Sequence, residues 1–168
     1  MKGKMLKTIG LLFTLLISQS VSQINDNVIS LSIGRMPDGI FGLNYQHKTS
    51  EKSVLGLYWH SSLGKFKINS GFEESNQPTD FMVGYSYYFK QAFDSWSIAP
   101  VTGISFSLAN HTEIPLLAEI AHRWVFRNAI SLQVGGALGT AFVFSNLHYE
   151  NTAFRCFGIC DIGYLFGE

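Results

Sequence analysis

From about residue 25 onward, one pattern recurs eight times: roughly ten residues in which large apolar side chains alternate with small or neutral polar ones, then a turn. Segments 41–46 (FGLNYQ) and 130–135 (ISLQVG) show it clearly. A period of two places each set of side chains on its own face of a strand. The non-apolar face carries Gly, Ser, Asn, Gln and Ala, which suits a narrow packed interior better than bulk water. The pattern predicts an all-β fold, an eight-stranded antiparallel up-and-down transmembrane barrel with its apolar side facing lipid.

Turn residues divide the chain into eight predicted strands within a single barrel domain, residues 24–168. The predicted strands are 27–35, 40–48, 53–63, 80–89, 96–108, 114–126, 129–143 and 153–166. Long polar connections at 64–79 and 144–152 alternate with short ones, as outer loops and periplasmic turns do in bacterial outer-membrane barrels. Pro100 falls within the fifth strand and lacks a backbone donor, so we expect a bulge there or a strand that begins at Val101.

The N-terminus and the composition indicate export to a membrane. Three lysines, an apolar run at 9–17 and the small residues of 20–22 precede Gln23, which predicts a cleavable signal peptide over residues 1–23. The chain is 46% hydrophobic but only 14% charged, against ~25% in typical soluble domains. No later apolar run is long enough for a spanning helix. After the predicted cleavage, 9 of the 12 basic residues remain beside 12 acidic ones, without a basic cluster, which argues against nucleic-acid binding.

Strand parity separates an aromatic outer face from a glycine-rich inner face. Glycines on one face relieve crowding inside a small closed barrel. The inward set is Gly34, Gly42, Gly56, Gly84, Gly103, Gly135, Gly139 and Gly163. Aromatic residues cluster where the strands meet the short turns, as a girdle at a membrane interface would. The predicted girdle is Tyr87, Phe89, Trp96, Trp124, Phe126, Tyr164 and Phe166.

Four charged residues are assigned to the interior of the predicted strands: Glu119, Arg123, Arg155 and Asp161. All have inward parity, and an arginine at the lipid midplane would cost roughly 2–4 kcal/mol. The sixth and eighth strands run the same way, so Arg123 is expected level with Asp161, and Glu119 with Arg155. A salt-bridge network that fills the lumen is favoured over a gate or ion path, because an eight-stranded barrel is just wide enough for its own side chains. Four bulky inward residues would also block a channel: Tyr58, Met82, Tyr88 and Phe157.

No residue spacing specifies a catalytic or metal site. The rim candidates for nucleophile, base and acid are His60 with Ser61, His111 with Glu113, and Ser145 with His148. Catalytic triads are defined by spatial roles, so these pairs assign none. Cys156 and Cys160 lie about 13 Å apart on one strand, too far for an intrachain disulfide, and have no further zinc ligands nearby. No catalytic residue, metal or cofactor is assigned.

The chain resembles small bacterial outer-membrane proteins of the OmpA/OmpX architecture. The ending Gly163-Tyr164-Leu165-Phe166 is similar to the aromatic-x-aromatic terminal strand recognised by the barrel assembly machinery. The resemblance implies an outer-membrane location, lipid as the surrounding medium, and contact with that machinery during biogenesis. Some barrels of this size deacylate or acylate lipid A, and the deacylases carry His-x-Ser-Asn. Here Ser145-Asn146 is present, but Val143 occupies the histidine position.

The favoured interpretation is a non-catalytic structural or surface-interaction protein with a packed lumen. Any surface partner is expected to meet the loops at 64–79 and 144–152. Three alternatives remain: a lipid A-modifying enzyme, a small pore, and a soluble ligand-carrying barrel, since alternation alone does not say which face is outside.

Overall fold

The computed structural model describes residues 26–33, 40–62, 79–106, 111–126 and 129–167. They form eight antiparallel strands joined in sequence order, and β8 pairs with β1 to close a barrel. The strands are β1 Asn27–Ser32, β2 Ile40–Lys48, β3 Ser53–Ser62, β4 Thr79–Tyr88, β5 Ser95–Phe106, β6 His111–Val125, β7 Ile130–Ser145 and β8 His148–Phe166. The predicted closed all-β fold is confirmed. The predicted signal peptide, Gly34, and all but the last residue of the 64–79 loop lie outside the described residues.

The strand register fixes the tilt of the barrel. Starting at Ser32 on β1 and moving from each residue to its partner on the next strand, the row reaches Asn151 on β8. Across the closing pair of strands, however, Ser32 is the partner of Asp161, ten residues further along β8. A shear of ten over eight strands, at ~3.3 Å per residue and ~4.8 Å between strands, gives a tilt of about 41°. Each residue then advances the chain by about 2.5 Å along the barrel axis.

The two ends of the barrel differ in shape. The near end, where β1 begins and β8 ends, is level and carries the short connections between β2 and β3, β4 and β5, and β6 and β7. At the far end the strands lengthen around the barrel, from 10 residues in β3 and β4 to 16 in β7 and 19 in β8. With the tilt above, the β7–β8 tip stands roughly 12–16 Å beyond the ends of β3 and β4.

The predicted loop at 144–152 was wrong. β7 and β8 continue through most of it as a paired hairpin, with a turn of two residues at Asn146 and Leu147. A register shift beside Val143 and Phe144 leaves Glu150 as the extra residue of a bulge. Polar side chains suggested a loop there, but cross-strand pairing tolerates them because this part of the hairpin stands clear of the barrel.

The expectation for Pro100 was also wrong. β5 begins at Ser95 and passes through Pro100 without a bulge. β4–β5 pairs are found at Gly84–Val101 and again at Tyr87–Ile98, in unchanged register. Pro100 instead pairs with Ala118 on β6. The missing backbone donor interrupts the pairing of β5 with β4 only, and the continuous pairing with β6 at this position keeps the strand straight.

The exterior is apolar on every strand. Large hydrophobic side chains of all eight strands are exposed, including Leu57, Phe81 and Leu138. Within the strands, every Asp, Glu, Lys and Arg other than the bulged Glu150 occupies an inward position. The described part of the chain contains no helix that is long and apolar enough to cross a membrane.

Two apolar clusters fill the interior at different heights. The first closes the near end and includes Tyr88 and Phe93. The second lies near mid-height and is formed by Tyr58, Met82, Ala99, Val101 and Leu117, with Phe157 packed against it. The four bulky residues expected to block a channel therefore point inward, as predicted.

Candidate functional site

A buried polar layer lies between the two apolar clusters, and Arg123 is at its centre. Its side chain is only 1% exposed. The guanidinium donates to Oε1 of Gln133, at 3.0 Å from Nε, and to Oε1 of Gln46. It also lies over the Phe93 ring, 5.6 Å from the centroid. Two strands, β7 beside β6 and β2 across the lumen, and the turn between β4 and β5 thus hold a single buried cation.

Two buried carboxylates accompany this arginine. Glu119 accepts a hydrogen bond from Nε2 of Gln133 at 3.0 Å, and Asp161 accepts one from Nδ2 of Asn44 at 2.8 Å. Both side chains interact electrostatically with Arg123. The polar layer therefore has two acidic groups and one basic group.

The register confirms one expected pairing level and overturns the other. Arg123 lies level with Asp161 across Gln133, as predicted. Glu119, in contrast, is level with Phe157, so its expected alignment with Arg155 was wrong. Glu119 and Arg123 are four residues apart on β6, whereas Arg155 and Asp161 are six residues apart on β8. A fixed register can therefore align only one of the two expected pairs.

Arg155 instead forms a two-pronged salt bridge with Glu113 near the far end. The side chains are 40% and 25% exposed, respectively. Asp80 is a further inward acid, buried and bonded by Ser105 Oγ. Asp80 was not among the predicted inward charges, although its parity was sufficient to place it inside.

Sequence reasoning also missed three partners of the central arginine. Gln46 and Gln133 have inward parity, and a neutral amide at an inward position could have been predicted to bond a buried charge. Phe93 belongs to the connection between β4 and β5, with a φ of 67°, and its ring turns into the barrel. Periodicity gives no information on a turn residue, so nothing in the sequence pattern indicated this plug.

The rim candidates are only partly brought together. His60 is buried inside the barrel, whereas Ser61 lies 3.3 Å from Thr79 Oγ1. The backbones of His111, Ser145 and His148 form one row across β6, β7 and β8. Glu113, the nearest acid to that row along β6, is engaged by Arg155. No group of three or more His, Cys, Asp or Glu residues suited to a metal ion occurs among the residues that the structure describes.

The predicted girdle residues lie at the near end, on the outside. All are exposed except Phe126, which is half-buried. His122 lies among them, with its ring centroid 5.1 Å from that of Trp96 and 4.3 Å from that of Trp124. Cys156 and Cys160 are both free and lie at outward positions of β8. No protein-family model, curated protein or solved structure matches the chain.

Proposed function

We propose that this chain is a bacterial outer-membrane barrel with a filled lumen and a non-catalytic surface-interaction role. The observation that supports it best is the exterior, which is apolar on all eight strands and, within the strands that the structure describes, bears a charged residue only at the bulge of the β7–β8 tip. Soluble proteins rarely expose contiguous apolar patches above a few hundred Å². In lipid the same surface is solvated, and closure of the barrel leaves the paired backbone without an edge.

The height of the barrel agrees with this proposal. β3 has 10 residues, which at the derived tilt span about 25 Å along the barrel axis. Outer-membrane barrels have an apolar band ~25 Å tall. A predicted signal peptide and the aromatic residues at the near end support the same location, with the near end facing the periplasm.

The interaction surface in this proposal is the β7–β8 tip, residues 142–152. Leu147 is 88% exposed and has a φ of 67°, beside Asn146 with a φ of 47°. Such turns favour glycine, because the left-handed conformation costs other L-residues about 1–2 kcal/mol. Phe144 and Tyr149 pack edge to face on the outer side of this tip. An exposed leucine in the left-handed conformation lowers the stability of the hairpin and makes no compensating buried contact. Contact with a partner would explain why leucine occupies this position.

Fractionation and conductance test the membrane proposal. The full chain, expressed in a Gram-negative host, should remain in the outer-membrane fraction after an alkaline wash and migrate faster on gels when unheated. An epitope inserted between Asn146 and Leu147 should be labelled on intact cells. The purified barrel should give no steady conductance in planar bilayers. Release by the alkaline wash would refute the membrane location, and steady single-channel steps would refute the filled lumen.

Crosslinking tests the interaction role. A photoreactive residue at Leu147 should capture a defined adduct on intact cells, whereas the same residue at Ser50, in the turn at the opposite end, should not capture it. Identical adduct patterns from both positions would contradict a partner specific to the tip.

Lipid modification is the second candidate, and the row of His111, Ser145 and His148 favours it. The register pairs Ser145 with His148, and nucleophilic catalysis needs a hydroxyl beside a base. Overexpression should then change the mass of lipid A, and Ser145→Ala should abolish the change while Ser61→Ala preserves it. Unchanged lipid A with the wild-type chain would remove this candidate.

A further inference from the structure

A small cavity lies at mid-height in the barrel, between the polar layer and the second apolar cluster. Its volume is about 20 Å³, and its walls include Asn44, Asp161, Glu119 and Ser32. By the same measure a water molecule needs ~10–15 Å³, so the cavity accommodates one particle of that size.

Two oxygens at this cavity lack a partner among the residues that the structure describes. They are Oδ1 of Asn44 and Oδ1 of Asp161, on side chains that are only 1% and 2% exposed. The other polar atoms of these two groups are bonded to each other, through Asn44 Nδ2 and Asp161 Oδ2. Buried acceptors are almost always satisfied in folded proteins. Their shared location at one cavity indicates a common occupant that donates hydrogen bonds or carries positive charge.

The charge around the cavity selects between these occupants. Glu119 and Asp161 line the cavity, and Arg123, which does not line it, interacts with both; with both acids ionised, two negative charges face one positive charge. Buried charges are costly unless they are paired, so one negative charge calls for compensation. A water molecule would satisfy the oxygens but not the charge, and a divalent cation would overcompensate and prefer six or more oxygen ligands.

We propose that this cavity binds a single small monovalent cation of the size of sodium, held by Asn44 Oδ1, Asp161 Oδ1 and the Glu119 carboxylate. The proposal concerns the barrel interior and stands whichever medium surrounds the barrel. The cation occupies a lumen that the apolar clusters obstruct, so it acts as a structural ion.

Thermal unfolding of the purified full barrel, at constant ionic strength, tests the proposal. Replacing choline chloride by sodium chloride should raise the melting temperature saturably, by about 3 °C or more, because a ligand bound only to the folded state stabilises it. Asn44→Leu and Asp161→Asn should abolish the sodium dependence. Asp80→Asn is the matched control, since Asp80 is equally buried but does not line the cavity, and should keep it.

A wild-type melting temperature that is the same in sodium and choline would overturn the proposal and leave water or a proton as the occupant. Loss of the sodium dependence in Asp80→Asn as well would also overturn it, since the effect would then not be local. If the cavity variants fail to fold, high-resolution crystals of the wild-type chain grown in sodium chloride and in choline chloride decide the matter. A density peak between Asn44 and Asp161 in the sodium crystals alone supports the site, and the same density in both refutes it.

Discussion

Replacement of Arg123 by methionine should be among the most destabilising single changes in the barrel. The guanidinium is 1% exposed and satisfies the side-chain oxygens of Gln46 and Gln133. Its removal leaves Glu119 and Asp161 as buried acids without a basic neighbour. Breaking a buried charge pair in this way costs about 3–5 kcal/mol.

Arg155→Met is the matched control, because it removes the same type of side chain from the interior face of the same barrel. Arg155 is 40% exposed and has one acidic partner, Glu113. Ion pairs that reach solvent contribute about 0–1 kcal/mol. The expected ratio of the two losses is therefore at least threefold, although both variants lose one positive charge from the lumen.

Urea unfolding in lipid vesicles or micelles measures both losses. The three tryptophans, Trp59, Trp96 and Trp124, all lie on the outer face and report on the surrounding medium without touching the interior. Adding Asp161→Asn to Arg123→Met should recover about 0.5–3 kcal/mol, the usual range for directly coupled groups. Equal losses for Arg123→Met and Arg155→Met, or no recovery in the double variant, would refute a dry, charge-coupled interior.

Three further predictions concern the two faces and the tip. Gly135→Ala should prevent or strongly slow folding, since a Cβ there meets the Ala121 Cα at 2.6 Å. Gly136→Ala should be nearly neutral, because the nearest contact of its Cβ is at 3.6 Å. The yield of refolded barrel on unheated gels compares the two variants. Leu147→Gly should stabilise the hairpin by about 1 kcal/mol, as measured by urea unfolding, because it relieves the left-handed leucine. It should also weaken capture of any tip partner by a photoreactive residue at the exposed Tyr149. Cys156 should resist a charged maleimide in vesicles until the barrel is unfolded in urea, because the reactive thiolate is disfavoured in apolar surroundings, and equal reactivity of the folded and unfolded chains would place this part of β8 outside lipid.

The sequence was sufficient to predict the number of strands, their order and their faces, because alternation with a period of two is a direct consequence of strand geometry. The sequence was not sufficient where the structure depends on how one residue pairs with both neighbouring strands. Pro100 appeared incompatible with a closed sheet, yet it is paired on one side and unpaired on the other. The predicted alignment of Glu119 with Arg155 was wrong for a related reason. The partner of Arg155 depends on the register of three strands together, and the sequence of any one strand does not contain that information.

The skewed far end is not required by the register. With a level near end and one common tilt, eight strands of equal length would give a level far rim. Here β6, β7 and β8 lengthen beyond what closure needs, whereas the described part of β1 pairs with β8 only from Asp161 to Phe166. On that side, the residues of β8 from His148 to Ile159 have no strand partner within the described chain. The tip that bears Leu147 therefore rises above the described rim on the β3–β4 side because β7 and β8 are longer there, and this height is what offers it to the proposed partner.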